Sequence, residues 1–203
     1  MNYLAVDTSG GFLTVIAAKN GQAYHTFVPD CAMKHSVLIM DTIDETLEKA
    51  GLSLAECDFF AAVVGAGSFT GIRIGVSVIK GFALACQKPT LPITSFDALA
   101  YNRLSEKSLC LINALHGYYY VCGYEKGEIV FPPAYLAEEE TLALAKADGY
   151  ELLSYEKLPI SCVTVDPVQG LQSAVEASAS KEKFAPLHAL YVRKSSAEEN
   201  LQK

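Results

Sequence analysis

Residues 65–75 read GAGSFTGIRIG, and this stretch decides how the chain folds. It holds four glycines and joins two apolar runs, FFAAVV (59–64) and VSVIKGFALAC (76–86). The first run is apolar without alternation, which is typical of a buried parallel strand, and a helix is predicted over 72–86. A glycine-rich turn between a strand and a helix N-terminus is a natural place for an anion, so the stretch raises the question of nucleotide binding.

The spacing of these glycines fits neither common nucleotide motif. The loop spells G-x-G-x-x-x-G, whereas the dinucleotide motif is G-x-G-x-x-G and the Walker motif is G-x-x-x-x-G-K-[ST]. Ser68 and Thr70 still offer hydroxyls beside backbone amides that precede the predicted helix. Two interpretations stay open: a structural turn that lets helix and strand pack closely, which the spacing favours, and a phosphate site.

Upstream, the sequence predicts three short antiparallel strands, over 3–6, 12–18 and 22–28. An Asn-Gly pair between the second and third strands is a strong hairpin signal. The first strand ends in a polar turn whose hydroxyls and amides are suited to contacting phosphate, formed by Asp7, Thr8 and Ser9.

Apolar residues recur at helical spacing over 33–50, and Gly51 ends this predicted helix. The element order is therefore βββαβα, the half-domain of actin-like ATPases and sugar kinases. By analogy with that fold, the Asp-Thr-Ser turn and the glycine loop lie at the same end of the sheet. Residues 1–104 are predicted to form this N-terminal lobe, and residues 105–203 a smaller, reduced C-terminal lobe.

The remaining elements are predicted from shorter patterns. Ser53 to Glu56 resembles a capping box, Ser95 is predicted to cap a helix over 96–104, and Pro132-Pro133 to end a strand. Further strands are predicted over 88–95, 109–115, 118–125, 128–131 and 160–165, helices over 138–147 and 168–179, a terminal apolar segment over 187–192, and a disordered tail over 194–203.

Composition narrows the function classes. The net charge of −7 argues against a broad nucleic-acid surface, because neutralising phosphates requires a basic face. The six cysteines form no C-x-x-C pair and are expected to be free thiols in a reducing cytoplasm. No leader sequence is expected at the N-terminus, and the longest apolar stretch, 75–86, contains Lys80 and is expected to be too short for a membrane span.

Catalytic motifs are not indicated. The four histidines include no pair at i, i+4 and no H-E-x-x-H, so no metal site is predicted. Ser68 does not fit a G-x-S-x-G nucleophile elbow, and no histidine is marked as its base.

The two early helices carry more apolar surface than one sheet face needs. A helix that is apolar on two sides usually packs on two sides, so burial in the core and contact with a second chain both stay open. The candidate partner-interface residues are His35, Val37, Met40, Ile43, Leu47, Ile72, Val76, Ile79 and Ala83.

Several stretches together resemble the TsaB (YeaZ) family. They are LAVDTS (4–9), KHS (34–36), AGLSLAECD (50–58), GAGSFTGIRIGVSVIKGFALA (65–85), PITSFDALA (92–100) and, more weakly, LYVR (190–193). The resemblance is dense over 1–104 and thins over 105–203. It implies an actin-like ATPase (ASKHA, ribonuclease H-like) α/β fold with a reduced second lobe.

The resemblance also implies a function. Members of this family serve as non-catalytic scaffolds for threonylcarbamoylation of adenosine 37 in tRNAs that read A-starting codons. The implied partners are a TsaD-like catalytic subunit, which carries the metal-binding histidines, and a TsaE-like ATPase, with a TsaC-type enzyme supplying threonylcarbamoyl-adenylate. When the TsaD-like subunit is absent, the two early helices, over 33–50 and 72–86, support homodimers. The family contacts tRNA only indirectly.

By the same resemblance, no resident cofactor is expected, although a nucleotide bound at the partner interface stays possible. The Asp-Thr-Ser turn and the glycine loop are then vestigial phosphate loops. Relatives often carry an acidic residue and an arginine around 112–120, where this chain has Asn113 and Leu115. The role of Tyr118, Tyr119 and Tyr120 there is left open between a packing strand and a lobe-specific contact.

Two enzymatic alternatives remain. One is a small ATP-dependent kinase or hydrolase of the same superfold, in which Asp7 is the best candidate for a base, although 105–203 shows no adenosine-binding glycine motif. The other is an M22-like peptidase homologue, which the lack of metal-ligand motifs opposes.

Overall fold

Two five-stranded sheets form the framework of the chain, whose computed structural model describes residues 1–103 and 107–193. The first sheet has the order β3-β2-β1-β4-β5. Its strands are β1 (Tyr3–Asp7), β2 (Leu13–Lys19), β3 (Gln22–Val28), β4 (Phe59–Val63) and β5 (Thr90–Ile93). The first three pair antiparallel, whereas β1, β4 and β5 are parallel.

The central strands of this sheet are apolar because both of their faces are covered. Every residue of β1 and β4 is buried, which accounts for the absence of alternation in FFAAV. The hairpin between β2 and β3 turns at Asn20 and Gly21, both with positive φ (53° and 84°), as the Asn-Gly signal predicts.

Helices cover both faces of the first sheet. One face packs against α1 (His35–Ala50) and α2 (Phe69–Cys86), with Ile43, Ile72 and Ile79 fully buried. The other face packs against α5 (Pro167–Ser180), with Leu171 and Val175 fully buried. The predicted βββαβα order is therefore present.

The second sheet has the order β10-β9-β6-β7-β8. Its strands are β6 (Ser108–Asn113), β7 (Tyr118–Glu125), β8 (Glu128–Ala137), β9 (Glu151–Ser154) and β10 (Val163–Thr164). The helix α3 (Ser95–Ala100) packs on one face through Phe96 and Leu99, and α4 (Glu138–Asp148) packs on the other through Ala145.

The prediction that Pro132-Pro133 ends a strand is wrong. β8 continues to Ala137, because it is the edge strand and needs no amide donor on its outer side. Val121 pairs with Ala134 and Gly123 pairs with Phe131, so both prolines lie opposite Cys122 as a bulge.

Several predicted boundaries also need correction. α1 begins at His35 rather than residue 33, and α2 at Phe69 rather than residue 72, so the end of the glycine loop is already helical. Thr94, not Ser95, caps α3, since its Oγ1 accepts from the Asp97 amide at 2.9 Å. That helix ends at Ala100, and its predicted end at Leu104 lies outside the described residues, as does the tail 194–203. β9 was not predicted, and β10 is shorter than 160–165.

The C-terminal part of the chain returns to the first sheet. After α5, Ala185 exchanges hydrogen bonds with Thr90 of β5, and the Leu190 amide donates to the Val64 carbonyl oxygen at 2.7 Å. The division into residues 1–104 and 105–203 stays a prediction. In the observed packing, 167–190 complete the first lobe.

Candidate functional site

The Asp-Thr-Ser turn and the glycine loop lie against each other at one end of the first sheet, as their order predicts. The Thr8 hydroxyl donates to the Gly71 carbonyl oxygen at 2.7 Å, and the Ser68 amide donates to the Ser9 carbonyl oxygen at 2.8 Å. The two segments that would cradle a phosphate are therefore bonded to one another, which supports the interpretation of the loop as a structural turn.

Glycine is required in this loop because the opposing turn comes so close. A Cβ at Gly71 would clash with the Thr8 carbonyl oxygen, and a Cβ at Gly75 with the Thr8 hydroxyl. Gly67 has φ of +147° and its missing Cβ faces the Ser9 carbonyl oxygen.

The hydroxyls predicted for phosphate contact have different positions. Ser68 caps α2, its Oγ accepting from the Gly71 amide at 3.2 Å. Ser9 is buried with its Oγ 3.0 Å from the Ser95 Oγ, which itself donates to the Ala66 carbonyl oxygen at 2.6 Å. Thr70 is exposed and faces the groove between α1 and α2 instead. The vestigial phosphate role of these residues stays a prediction.

Asp7 is buried at the end of β1. Its Oδ1 accepts from the Ser9 amide at 2.8 Å, whereas its Oδ2 has no hydrogen-bond partner among the described residues. Burial raises the pKa of Asp7, and the Ser9 hydrogen bonds and the nearby His35 offset this only in part. A buried and partly unsatisfied carboxyl reduces the stability of the folded chain.

His35 is held by the backbone and not presented to a partner. Its Nε2 lies 2.8 Å from the Phe12 carbonyl oxygen and its Nδ1 lies 3.2 Å from that of Ala32. The described residues contain no group of three His, Cys, Asp or Glu side chains that could hold a metal ion. The prediction of no metal site stays a prediction.

Most of the candidate interface residues are buried within the chain itself. Six of them belong to the core that packs helix against sheet: Ile43, Leu47, Ile72, Val76, Ile79 and Ala83. His35 is also buried, held by its contacts with the backbone. The partner interface of these residues stays a prediction. Val37 and Met40 are exposed, by 73% and 43%. Of the nine candidates, these two are accessible to a second chain.

Further apolar side chains occupy the outer surface of the same helices. Met40 and the half-buried Ile74 and Val78 line a groove between α1 and α2, and Leu84 on α2 is 83% exposed. Ile74, Val78 and Leu84 were not among the residues predicted for the interface. The sequence could have indicated them, because α2 is apolar on nearly all sides and its outer side must then be apolar too.

The apolar helix α2 is longer than the apolar stretch predicted from the sequence. With 18 residues it has the length and apolar composition of a membrane span, whereas the stretch 75–86 was predicted to be too short. A core helix passes the same test, and α2 packs on the sheet through Ile72 and Ile79.

Arg73, in the first turns of α2, contacts two aromatic rings. Its Nε donates to the Tyr191 hydroxyl at 2.9 Å, and its guanidinium lies 5.7–5.8 Å from the ring centroids of Tyr191 and Phe69. These two rings stack at 4.4 Å. The contact fixes the C-terminal segment to the start of α2.

The three consecutive tyrosines have separate environments. Tyr118 stacks on Tyr135 at 4.7 Å, and Tyr120 lies 5.7 Å from the same ring. Tyr119 is buried on the opposite face and its hydroxyl donates to Glu138 at 3.0 Å. They form a packing strand of the second sheet.

A cleft of about 270 Å³ opens between the two sheets beside the Asp-Thr-Ser turn. Its floor is made of small residues such as Ser9, Gly10 and Ser95, and its walls include Phe12, Phe27 and Tyr155. This cleft could not be predicted from the sequence, because Phe12 and Tyr155 meet only when the two sheets pack together.

The chain matches one family over most of its length. A family model described as TsaD: tRNA N6-adenosine threonylcarbamoyltransferase matches residues 14–190. A curated relative from Haemophilus influenzae, named tRNA threonylcarbamoyladenosine biosynthesis protein TsaB, is 35% identical over 49% of this chain and 42% of its own length. The protein of the same name from Escherichia coli is 28% identical over 63% of this chain and 57% of its own length.

The chain belongs to the TsaB (YeaZ) family, within the wider TsaD family. The match spans about half the length of these TsaB relatives. A curated tRNA N6-adenosine threonylcarbamoyltransferase from Chlamydia caviae is also 30% identical, over 47% of this chain and 29% of its own length.

Two solved structures share the TsaB fold of this chain. One is described as an uncharacterized protein with similarity to peptidase YEAZ from Pseudomonas aeruginosa, with a TM-score of 0.76, 24% identity, and coverage of 95% of this chain and 99% of that one. The other, YeaZ from Pseudomonas aeruginosa, has a TM-score of 0.72, 21% identity, and coverage of 94% and 99%. The predicted actin-like, ribonuclease H-like α/β fold class is confirmed.

Proposed function

We propose that this chain is a non-catalytic scaffold subunit in the synthesis of threonylcarbamoyladenosine at position 37 of tRNAs that read A-starting codons. It acts by binding and supporting a TsaD-type catalytic subunit. The names of the TsaB relatives support the pathway, and the match to the TsaD family fits a partner of related fold.

The observation that carries the scaffold role is the outer surface of α1 and α2. Val37, Met40 and Leu84 are exposed there, and Ile74 and Val78 continue the apolar surface into the groove. Large apolar side chains exposed together on a helix pair favour an association surface. We call this set the outer face.

Charge divides the outer side of α1 into two halves. Its first turns carry Val37 and Met40, whereas its later turns expose Asp41, Asp44 and Glu48. The matching partner surface is apolar opposite the first turns and basic opposite the last. Two early helices of a TsaD-type subunit, packed here as a helical bundle, form the proposed complex, and a homodimer uses the same face when that subunit is absent.

The site at the end of the first sheet supports a role without catalysis. The two loops bond to each other, Ser68 and Ser9 use their hydroxyls within the chain, and Asp7 is enclosed. In this proposal the TsaE-like ATPase joins the pair, tRNA is held mainly by the catalytic subunit, and the assembly works in the cytoplasm.

The rival enzymatic functions have a direct test. A kinase or hydrolase would turn over ATP with Mg²⁺, and a peptidase would cleave a casein substrate. The scaffold proposal expects neither activity from the isolated chain, with calorimetry and a protease assay as the two measurements. Turnover by the wild type that Asp7→Asn abolishes would contradict it.

The decisive experiment reconstitutes the modification. The chain is mixed with the cognate TsaD-type and TsaE-like proteins, threonylcarbamoyl-adenylate and unmodified tRNA, and modified adenosine is measured by mass spectrometry. We expect stable co-purification with the TsaD-type subunit and modification that depends on this chain. Full modification in its absence would contradict the proposal.

A further inference from the structure

The cleft between the two sheets has an acidic and aromatic lining that the scaffold role does not use. Phe12 lies between Phe27 and Tyr155, with ring centroids 5.7 Å and 5.4 Å apart, and the Phe12–Tyr155 pair meets edge to face. Asp30 and Glu156 belong to the same lining. Aromatic rings and carboxylates together are the groups that recognise organic cations.

The same lining is unsuited to phosphate. Among the described residues that line the cleft, none is a lysine, arginine or histidine. Asp30 and Glu156 would repel a polyphosphate, and the backbone that might cradle it is closed by the bonds of Thr8 to Gly71 and of Ser68 to Ser9. The charge of this lining is therefore unfavourable for a nucleotide.

One residue of the cleft lining carries a buried polar atom without a partner. The Tyr155 hydroxyl has no hydrogen-bond partner among the described residues, and the same is true of Oδ2 of Asp7, two residues before Ser9 in the chain. Burial raises the pKa of Tyr155, and the Asp7 charge adds to the effect. A buried hydroxyl without an internal partner would gain stability from a hydrogen bond to a ligand.

The electrostatics of Glu156, in the cleft lining, also favour a bound cation. Desolvation raises the pKa of the Glu156 carboxyl, so a cation beside it would relieve an existing cost. The volume of about 270 Å³ lies just below the usual range of ligand pockets, ~300–1,000 Å³, and suits a ligand about as large as an amino acid.

We propose that this cleft binds a small organic cation, an ammonium or guanidinium group, against the rings of Phe12, Phe27 and Tyr155, with Asp30 and Glu156 as its counter-charges. The site is independent of the outer face on α1 and α2, so the failure of either proposal leaves the other standing.

The test is calorimetric titration of the full chain with agmatine, which carries both cationic groups, and with ATP as the anionic comparison. We expect saturable agmatine binding, and at least tenfold weaker binding by Glu156→Gln and by Phe27→Leu, both at positions exposed enough to keep the fold. Glu139→Gln, an exposed carboxylate on α4 outside the cleft lining, is the matched control and should bind as the wild type does.

A second arm distinguishes the source of the cation. N-acetyl-arginine methylamide stands for an arginine side chain of a partner protein, and agmatine for a free small molecule. Tighter binding of agmatine assigns the site to a metabolite, and equal or tighter binding of the blocked arginine assigns it to a protein side chain. The proposal is overturned if neither probe binds, if ATP competes with agmatine, or if Glu156→Gln and Phe27→Leu leave binding unchanged.

Discussion

The Thr8 hydroxyl donates a 2.7 Å hydrogen bond to the carbonyl oxygen of Gly71, across the point where β1 ends and α2 begins. This contact exists only because Gly71 has no side chain, since a Cβ there would overlap the Thr8 carbonyl oxygen. The glycine loop thus lets α2 pack closely against the end of β1 in this chain.

Gly71→Ala should destabilise the chain. The added Cβ meets a backbone oxygen that cannot rotate away, so the expected loss is about 1–3 kcal/mol in the free energy of unfolding, measured with urea. Gly81→Ala on the same helix is the control, because no neighbouring atom of the described residues lies within 4 Å of its Cβ position. That variant should gain about 0.5–1 kcal/mol. Equal effects at both positions would contradict the packing role.

Met40→Asp and Val76→Asp should have different effects on folding, although both were candidate interface positions. Val76 is buried, so an unpaired charge there should cost on the order of 3–5 kcal/mol. Met40 is exposed, so its variant should unfold at nearly the same urea concentration as the wild type. A stable, folded Val76→Asp protein would show that the α2 packing is described wrongly.

Glu56 should contribute stability that depends on pH. Hydrogen bonds from the Ser53 amide and hydroxyl, and then Lys19, lower the pKa of Glu56 from 4.5 to about 2. A lowered pKa in the folded state stabilises the chain above 4.5, and this contribution disappears as the pH falls toward 2. Glu56→Gln should therefore unfold at lower urea at neutral pH, with the difference from the wild type narrowing through that window. If the difference in stability between Glu56→Gln and the wild type stayed constant with pH, the ionised Glu56 would not be the source of this stability.

Asp7 should show the opposite dependence. Its pKa is raised above 3.8 by burial, so its ionisation costs stability, and that cost appears as the pH rises through the folded-state pKa. Asp7→Asn cannot ionise and should become more stable relative to the wild type as the pH rises to neutral. In the scaffold account this variant also keeps full support of tRNA modification. Loss of modification by a folded Asp7→Asn protein would assign Asp7 a working role.

Local signals in the sequence carried the first half of the fold. The Asn20-Gly21 turn, the unbroken apolar run of β4 and the capping box at Ser53 each depend on neighbouring residues, and all three are present. Pro132 and Pro133 were wrongly predicted to end a strand. Proline is tolerated in an edge strand, and only the order of strands in the sheet shows that β8 is one.

The candidate site was harder to predict for the same reason. Spacing placed Asp7 and Ser68 at one end of the sheet, but the closure of the turn by Thr8 depends on a distance that sequence does not contain. Helical periodicity gave the apolar stripe of α1 without saying which side meets the sheet, so Ile43 was grouped with Met40.

The central claim is that the outer face of α1 and α2 binds a TsaD-type subunit, and the most direct measurement is the affinity of that subunit for the Val37→Asp/Met40→Asp double variant. Each apolar side chain buried in such an interface contributes about 1.5–3 kcal/mol. The control is Ile129→Asp/Leu142→Asp, which changes two exposed apolar residues on β8 and α4. We expect at least a hundredfold loss of affinity for the first variant, with tRNA modification lost in parallel, and no change for the second. A folded Val37→Asp/Met40→Asp protein that binds as tightly as the wild type would contradict it.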